Sequence, residues 1–370
     1  MLCLSRRAVA RGSAAEPAQH HGRAAPHAGW GVVEAVSDLG TAFVPVETAV
    51  AAGRIPGAVL GLLERGRASF LAAGLAQREP DAVAMRADTV FDLASLTKVV
   101  FTTTAILRLV EAGAIGLDDP LTVAIPDLRQ YDVAGAAERR LTFRQCLSHQ
   151  THLPAVEPLY TLGLDPPTLR AHVLQREWQA GPAVYSDINF LLLGIAIERL
   201  TGRALGEQTL APGFSFRPDP VDCAATERCT WRGRVMRGEV HDENAFAMGG
   251  AAGHAGLFGT AAALLDFAAG LMAGDVLAAS SVAALRMPHV SGRGLGWQIA
   301  VPGWPGGDGV PAGTIGHTGF TGTGLWIDLD GRRAWTLLTN RVHPSRHADS
   351  GIVGLRRAVG DLIVQGEAAG

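Results

Sequence analysis

Apolar residues recur at helical spacing between Gly31 and Gly53, at Val32, Val33, Val36, Leu39, Phe43, Val46 and Val50, and predict an amphipathic helix. Two apolar runs follow, 58–63 and 68–73, with Arg65-Gly66 between them. They predict a β-hairpin. A second hairpin is predicted from 325–329 and 334–338 around Asp330-Gly331, a strong turn dipeptide. Helical spacing fills the middle of the chain at 96–112, 142–149, 188–200 and 260–273, and a last helix is predicted over 352–364.

Strand patterns thus sit near both ends and helical patterns between them. The simplest assembly is an α+β fold. One antiparallel sheet is built from both chain ends and flanked by helices, with an all-helical region inserted. The expected boundaries are a discontinuous sheet domain over 30–94 and 255–370 and a mainly helical insert over 95–254. Residues 1–29 are rich in Ala, Arg, His, Pro and Gly without periodicity and are expected to form a disordered leader. Ser5-Arg6-Arg7 is similar to a twin-arginine signal, but the residues up to Gly22 include Arg11, Glu16, His20 and His21 where an apolar segment is required. The expectation is therefore a cytoplasmic protein. A periplasmic one follows only if the start is misassigned or the signal is a weak one.

Composition narrows the function classes. Of 370 residues, 48% are hydrophobic and 18% charged, enough for a large core and unlike a disordered chain. A net charge of −3 argues against a nucleic-acid or anionic-membrane partner. Cys3, Cys146, Cys223 and Cys229 are scattered, which suggests a reduced compartment and no disulfide framework. The longest apolar run, around 188–197, is too short for a membrane span. Oligomeric state leaves no mark.

The 32 basic residues include a single lysine, Lys98. An arginine keeps its proton at any usable pH, whereas a buried lysine can give one up. Lys98 lies three residues after Ser95, at the start of an apolar stretch that ends at Gly113. On a helix, residues three apart share a face, so the amine lies beside the hydroxyl. Unpaired N–H groups at that helix start would favour an alkoxide or acyl oxyanion. The same pair also fits an ordinary N-terminal Ser with an exposed Lys.

Two further segments strengthen the chemical reading. Tyr185, in Tyr185-Ser186-Asp187-Ile188-Asn189, precedes an apolar helix, and a phenol beside a lysine can shuttle protons. Gly316-His317-Thr318-Gly319-Phe320-Thr321-Gly322 leads into the Leu325 strand, where glycines let a backbone edge approach a ligand. One N–H from that edge and one from Ser95 would make an oxyanion hole.

In this order and at these separations, Ser95-x-x-Lys98, Tyr185-x-Asp187 and His317-Thr318-Gly319 resemble the superfamily of class C β-lactamases, D-alanyl-D-alanine carboxypeptidases and family VIII carboxylesterases. Further stretches carry the same resemblance: Cys146-Leu147-Ser148-His149, Asn189-Phe190-Leu191-Leu192-Leu193-Gly194, Val240-His241-Asp242-Glu243-Asn244 and Gly253-His254-Ala255-Gly256. It spans about 35–365. It implies a β-lactamase/transpeptidase-like fold with the site between sheet and helical region. It implies Ser95 as nucleophile, Lys98 as proton acceptor, Tyr185 as proton relay, and the N–H groups of Ser95 and Phe320 as oxyanion hole.

Two positions depart from the pattern. Asp187 stands where the family usually has Asn, and His317 where β-lactamases usually have Lys. A histidine is mostly neutral near pH 7, and an aspartate would repel a substrate carboxylate and raise the pKa of Lys98 unless it is turned away or hydrogen-bonded. Both changes favour a neutral ester or amide. Arg341, after the last predicted strand, would restore a positive charge. His241, Asp242 and His254 are expected to line or brace the pocket. No H-E-x-x-H occurs and the histidine spacings fit no common zinc signature, so no metal or other cofactor is expected. The expected substrate is a small ester, amide or peptide. The alternative is a slowly acylating penicillin-binding-type ligand sensor.

Overall fold

The computed structural model describes residues 37–289 and 292–365. The expected leader over 1–29 lies outside the described residues, as do residues 31–36 of the stretch expected as the first helix. That helix is described over Ser37–Ala51.

A seven-stranded antiparallel sheet organises the fold. Its strand order is Val83–Ala84, Arg67–Gln77, Gly57–Glu64, Arg333–Thr339, Gly324–Asp328, Ile315–Thr318 and Gln298–Ile299. Strands from the two chain ends meet in its centre, where Leu60 pairs with Leu337 and Leu62 with Trp335. Every residue of 57–63 is buried, because both faces of the sheet are covered. Ala58, Leu60, Leu62, Trp335 and Leu337 pack with Leu39, Phe43 and Val46 of the first helix and Val359 and Ile363 of the last, Ile352–Gln365. Val59, Leu63, Ala334 and Leu338 face the opposite way, into the core that holds Leu264, Leu265 and Ala268 of the helix Ala261–Ala273.

Both expected hairpins form. The first turns through Arg65 and Gly66, both in the left-handed region (φ +51° and +72°). In the second, Arg332, not Gly331, takes the left-handed conformation (φ +52°), and the Asp328 carboxylate accepts the Gly331 N–H at 2.9 Å. The middle of the chain carries the helices Phe143–Leu147, Pro166–Gln175 and Asp187–Thr201. It also carries a hairpin, Ala225–Cys229 with Arg234–Arg237, that the helical reading of this region did not contain. No helix among the described residues is long and apolar enough to cross a membrane.

The stretch expected as one helix over 96–112 is compound. Lys98–Thr103 is a π-helix and Thr104–Glu111 an α-helix. Hydroxyls explain the wide turn: Thr103 Oγ1 donates to the Lys98 carbonyl at 2.7 Å and Thr104 Oγ1 to that of Val99 at 3.2 Å, five residues back in each case. Ser95 therefore sits on the turn before this helix instead of inside its first turn.

Candidate active site

Asp92 ends a two-residue strand, Phe91–Asp92, and its buried carboxylate organises the turn that follows. Oδ1 accepts the Ala94 N–H at 2.8 Å and Oδ2 the His241 N–H at 2.6 Å. Burial pushes this carboxyl upward, opposed by those two N–H groups and the nearby His241. Ala94 is left-handed (φ +47°), an uncommon state for a residue with a Cβ, and Ser95 on this turn is half-buried.

Lys98 is fully buried, and its Nζ donates to Ser95 Oγ at 2.9 Å and to the His254 carbonyl at 3.2 Å. Asp187 Oδ1 stands 2.8 Å from the same nitrogen. The amine lies 4.9 Å from the centroid of the Tyr185 ring and 5.8 Å from that of Phe190. Burial alone would lower the pKa of Lys98; Asp187 and then Tyr185 more than offset it, so the net direction is upward and the amine is held as an ammonium.

The segment after Ile315–Thr318 is stitched to the turn before Ser95. Thr321 Oγ1 donates to the Asp92 carbonyl at 2.8 Å and Thr323 Oγ1 to that of Leu93 at 3.1 Å. Gly319 is required by this approach, since a Cβ there would meet Leu93 O at 2.6 Å and Thr323 Oγ1 at 2.1 Å. Phe320 follows it, and among the described residues neither its N–H nor that of Ser95 is taken by another group. The Phe320 ring is half exposed. It stacks on His241 at 5.7 Å, with the guanidinium carbons of Arg341 and Arg346 at 4.7 and 5.7 Å. Arg341 Nε donates to the Phe320 carbonyl at 2.9 Å.

Two buried histidines flank Tyr185. His149 stacks on it at 4.5 Å and His317 faces it at 5.9 Å. His149 Nδ1 accepts the Ser186 N–H at 3.0 Å, so the ring proton sits on Nε2. His317 Nδ1 lies 3.0 Å from the Thr318 carbonyl, which can only accept, so here Nδ1 carries the proton. Burial, then Arg293 and Lys98, pushes His149 down to about 2. Burial, then Lys98 and Arg293, holds His317 well below its ordinary value.

The remaining expected residues divide. His254 Nε2 pairs with Asp242 Oδ1 at 2.9 Å, and the Asp187, Asp242 and His254 donor atoms all lie within 4.8 Å of one another, the one such trio of possible metal ligands among the described residues. His241 Nε2 lies 3.0 Å from Glu227 Oε2, and its ring stacks on Phe320. Arg293 escaped the sequence reading. Its guanidinium carbon lies 4.9 Å over the Tyr185 ring, its Nη1 is buried without a partner, and no carboxylate among the described residues lies within ion-pair range. In the sequence its only signal is its place between two glycines, Gly292 and Gly294.

Comparison with known proteins gives a consistent placement. The family model described as Beta-lactamase matches residues 45–358. A Bacillus subtilis protein named N-acetylmuramyl-L-alanine amidase is 31% identical over 369 residues, covering 80% of each chain. A Salmonella agona protein named for D-alanyl-D-alanine carboxypeptidase activity is 30% identical over 310 residues, covering 69% of this chain and 70% of its own. The crystal structure of a class C β-lactamase from Rhodobacter sphaeroides superposes with a TM-score of 0.66 at 21% identity, covering 89% of this chain and 99% of that one.

Proposed function

The chain belongs to the Beta-lactamase family and has its serine-hydrolase-like character, and from that premise we propose that it cleaves an ester or amide bond through an acyl-enzyme on Ser95. The observation that carries this reading is the buried Lys98 amine 2.9 Å from Ser95 Oγ. Ser95 Oγ attacks the carbonyl carbon. Its proton passes through the Lys98–Tyr185 pair to the leaving group as the carbon–leaving-group bond breaks. The N–H groups of Ser95 and Phe320 hold the oxyanion. A water then takes the place of the leaving group, gives its proton back through the same pair, and frees Ser95.

Specificity follows from what surrounds the nucleophile. His317 is neutral, Thr318 and Gly319 offer a backbone edge, and Asp187 repels a carboxylate placed against Lys98. Arg341, whose guanidinium is bonded among the described residues to the Phe320 carbonyl, is the cation available to an anionic group farther out, beside Phe320. The names of the two relatives point to muramyl-alanine amides and D-alanyl peptides as the first substrates to try.

The test is a substrate panel on purified protein: p-nitrophenyl esters, a chromogenic cephalosporin, D-alanyl peptides and muramyl-amino-acid amides, each also with Ser95→Ala. The reading expects steady turnover of at least one class, lost by about 10³-fold or more in Ser95→Ala. A single trapped acyl group per chain without turnover would favour a ligand sensor. Undiminished turnover in the variant would remove Ser95 from the chemistry.

A further inference from the structure

We infer that Asp187 makes this site selective for amides over activated esters, by keeping Lys98 supplied with the proton that an amine leaving group needs. The inference rests on the acyl-enzyme reading of Ser95 and says which of its two substrate classes the site is built for.

The geometry is specific. Asp187 is the first residue of the helix Asp187–Thr201, and its side chain points back at Lys98 Nζ, 2.8 Å away. Negative charge at that position is favoured by the helix's unpaired N–H groups. Lys98 has no access to water, so Asp187 is its principal counter-ion. The charged and titratable groups facing the amine can be named. Asp187 and Asp242 are carboxylates, the second engaged by His254. Tyr185 lies over the amine, with neutral His149 and His317 beside its ring and Arg293 also over the ring. An asparagine at 187 would leave Lys98 with the same hydrogen bonds to Ser95 and His254 but without its adjacent negative charge.

The two leaving groups make opposite demands. In amide cleavage the tetrahedral adduct on Ser95 must break its C–N bond, and the nitrogen leaves only as a neutral amine. Lys98 gives one proton to that nitrogen in the same step in which it takes the proton of Ser95 Oγ, so the ammonium is present before and after. Ser–OH and R–CO–NH–R′ become Ser–O–CO–R and H₂N–R′, with Lys98 unchanged. A p-nitrophenyl ester expels a stable phenolate that needs no proton, so there the amine serves only as a base and the ammonium form is a handicap. Asp187 assists the first reaction and hinders the second. It acts through Lys98 and is a positioning residue, not one that touches substrate.

The experiment uses the p-nitroanilide and the p-nitrophenyl ester of one acyl group accepted in the substrate panel, with wild type, Asp187→Asn and Ser95→Ala. The expected result is a fall of about tenfold or more in the anilide-to-ester ratio of kcat in Asp187→Asn. Removing Asp187 lowers the pKa of Lys98, so the rising limb of the ester pH–rate profile should also move to lower pH, by about one unit or more. Surviving ester turnover reports that the variant is folded. An unchanged ratio, or equal loss of both activities with an unmoved limb, overturns the inference. Ser95→Ala separates the two layers: if it retains both activities, the acyl-enzyme reading itself fails, whatever Asp187 does.

Discussion

Asp92 and Ala94 are bound by a 2.8 Å hydrogen bond from the Ala94 N–H to the Asp92 carboxylate, across a turn in which Ala94 is forced to φ +47°. Because the other carboxylate oxygen holds the His241 N–H at 2.6 Å, one buried side chain ties the turn before Ser95 to the segment that carries Asp242. Asp92→Ala leaves two buried donors without partners, at about 1–3 kcal/mol each. We expect a loss of roughly 2–6 kcal/mol in urea unfolding, with kcat falling even where the variant remains folded. A change under about 0.5 kcal/mol, the level of an ordinary surface substitution, would show that the turn holds itself.

Gly319 is the point at which the backbone edge closes on the turn before Ser95. In Gly319→Ala the new methyl group collides with Leu93 O and Thr323 Oγ1 and pushes the edge outward, taking the Phe320 N–H with it. In the proposed mechanism that N–H is one of two oxyanion donors, and loss of one such donor costs about 10²–10³ in kcat. Steady-state kinetics should therefore show a fall in kcat larger than any rise in KM.

Stability should fall with acidification sooner than carboxylates alone would make it. His149 and His317 are buried as neutral rings whose pKa values are depressed in the fold, His149 to about 2. Unfolded histidine titrates near about 6.5. Below that pH the unfolded chain binds protons that the folded chain excludes, so each ring removes up to roughly 1.4 kcal/mol per pH unit. Two such rings give a loss of about 2–3 kcal/mol between pH 7.5 and 5.5, measurable from denaturant midpoints. A flat profile over that range would mean that one or both rings accept a proton in the folded state.

Arg293 is a half-buried cation with no carboxylate in reach among the described residues, and it lies over Tyr185. Such a charge is expensive to keep for stability alone. Arg293→Gln should lower kcat by about tenfold or more while leaving the unfolding midpoint unchanged or higher. A variant that loses stability but not kcat would make the residue structural.

The parts of this molecule that were legible in the sequence are those written in local pattern. The hairpin at Arg65-Gly66, the helix expected over 188–200 and found over Asp187–Thr201, and the residues inside each of the three motifs all follow from local spacing. What was not legible depends on contacts between distant segments. The two threonines at 103 and 104 widen a helix by bonding backward, although their neighbours read as plain apolar helix. The strand Ile315–Thr318 looked like a glycine-rich lead-in, because Gly316 and Gly319 carry no side-chain pattern of their own. Asp187 was expected either to face Lys98 or to turn away, and only the packing of its helix against the lysine decides between them. Arg293 reaches Tyr185 from more than a hundred residues away, a pairing no local pattern encodes.

The account stands or falls on where the acyl group resides during turnover. Rapid quenching with a slow p-nitrophenyl ester, followed by intact-mass measurement and peptide mapping, tests this directly. One acyl equivalent should appear on the peptide containing Ser95 and be absent from Ser95→Ala. An adduct mapped to any other side chain, or a variant that still turns over the ester at the wild-type rate, would contradict it.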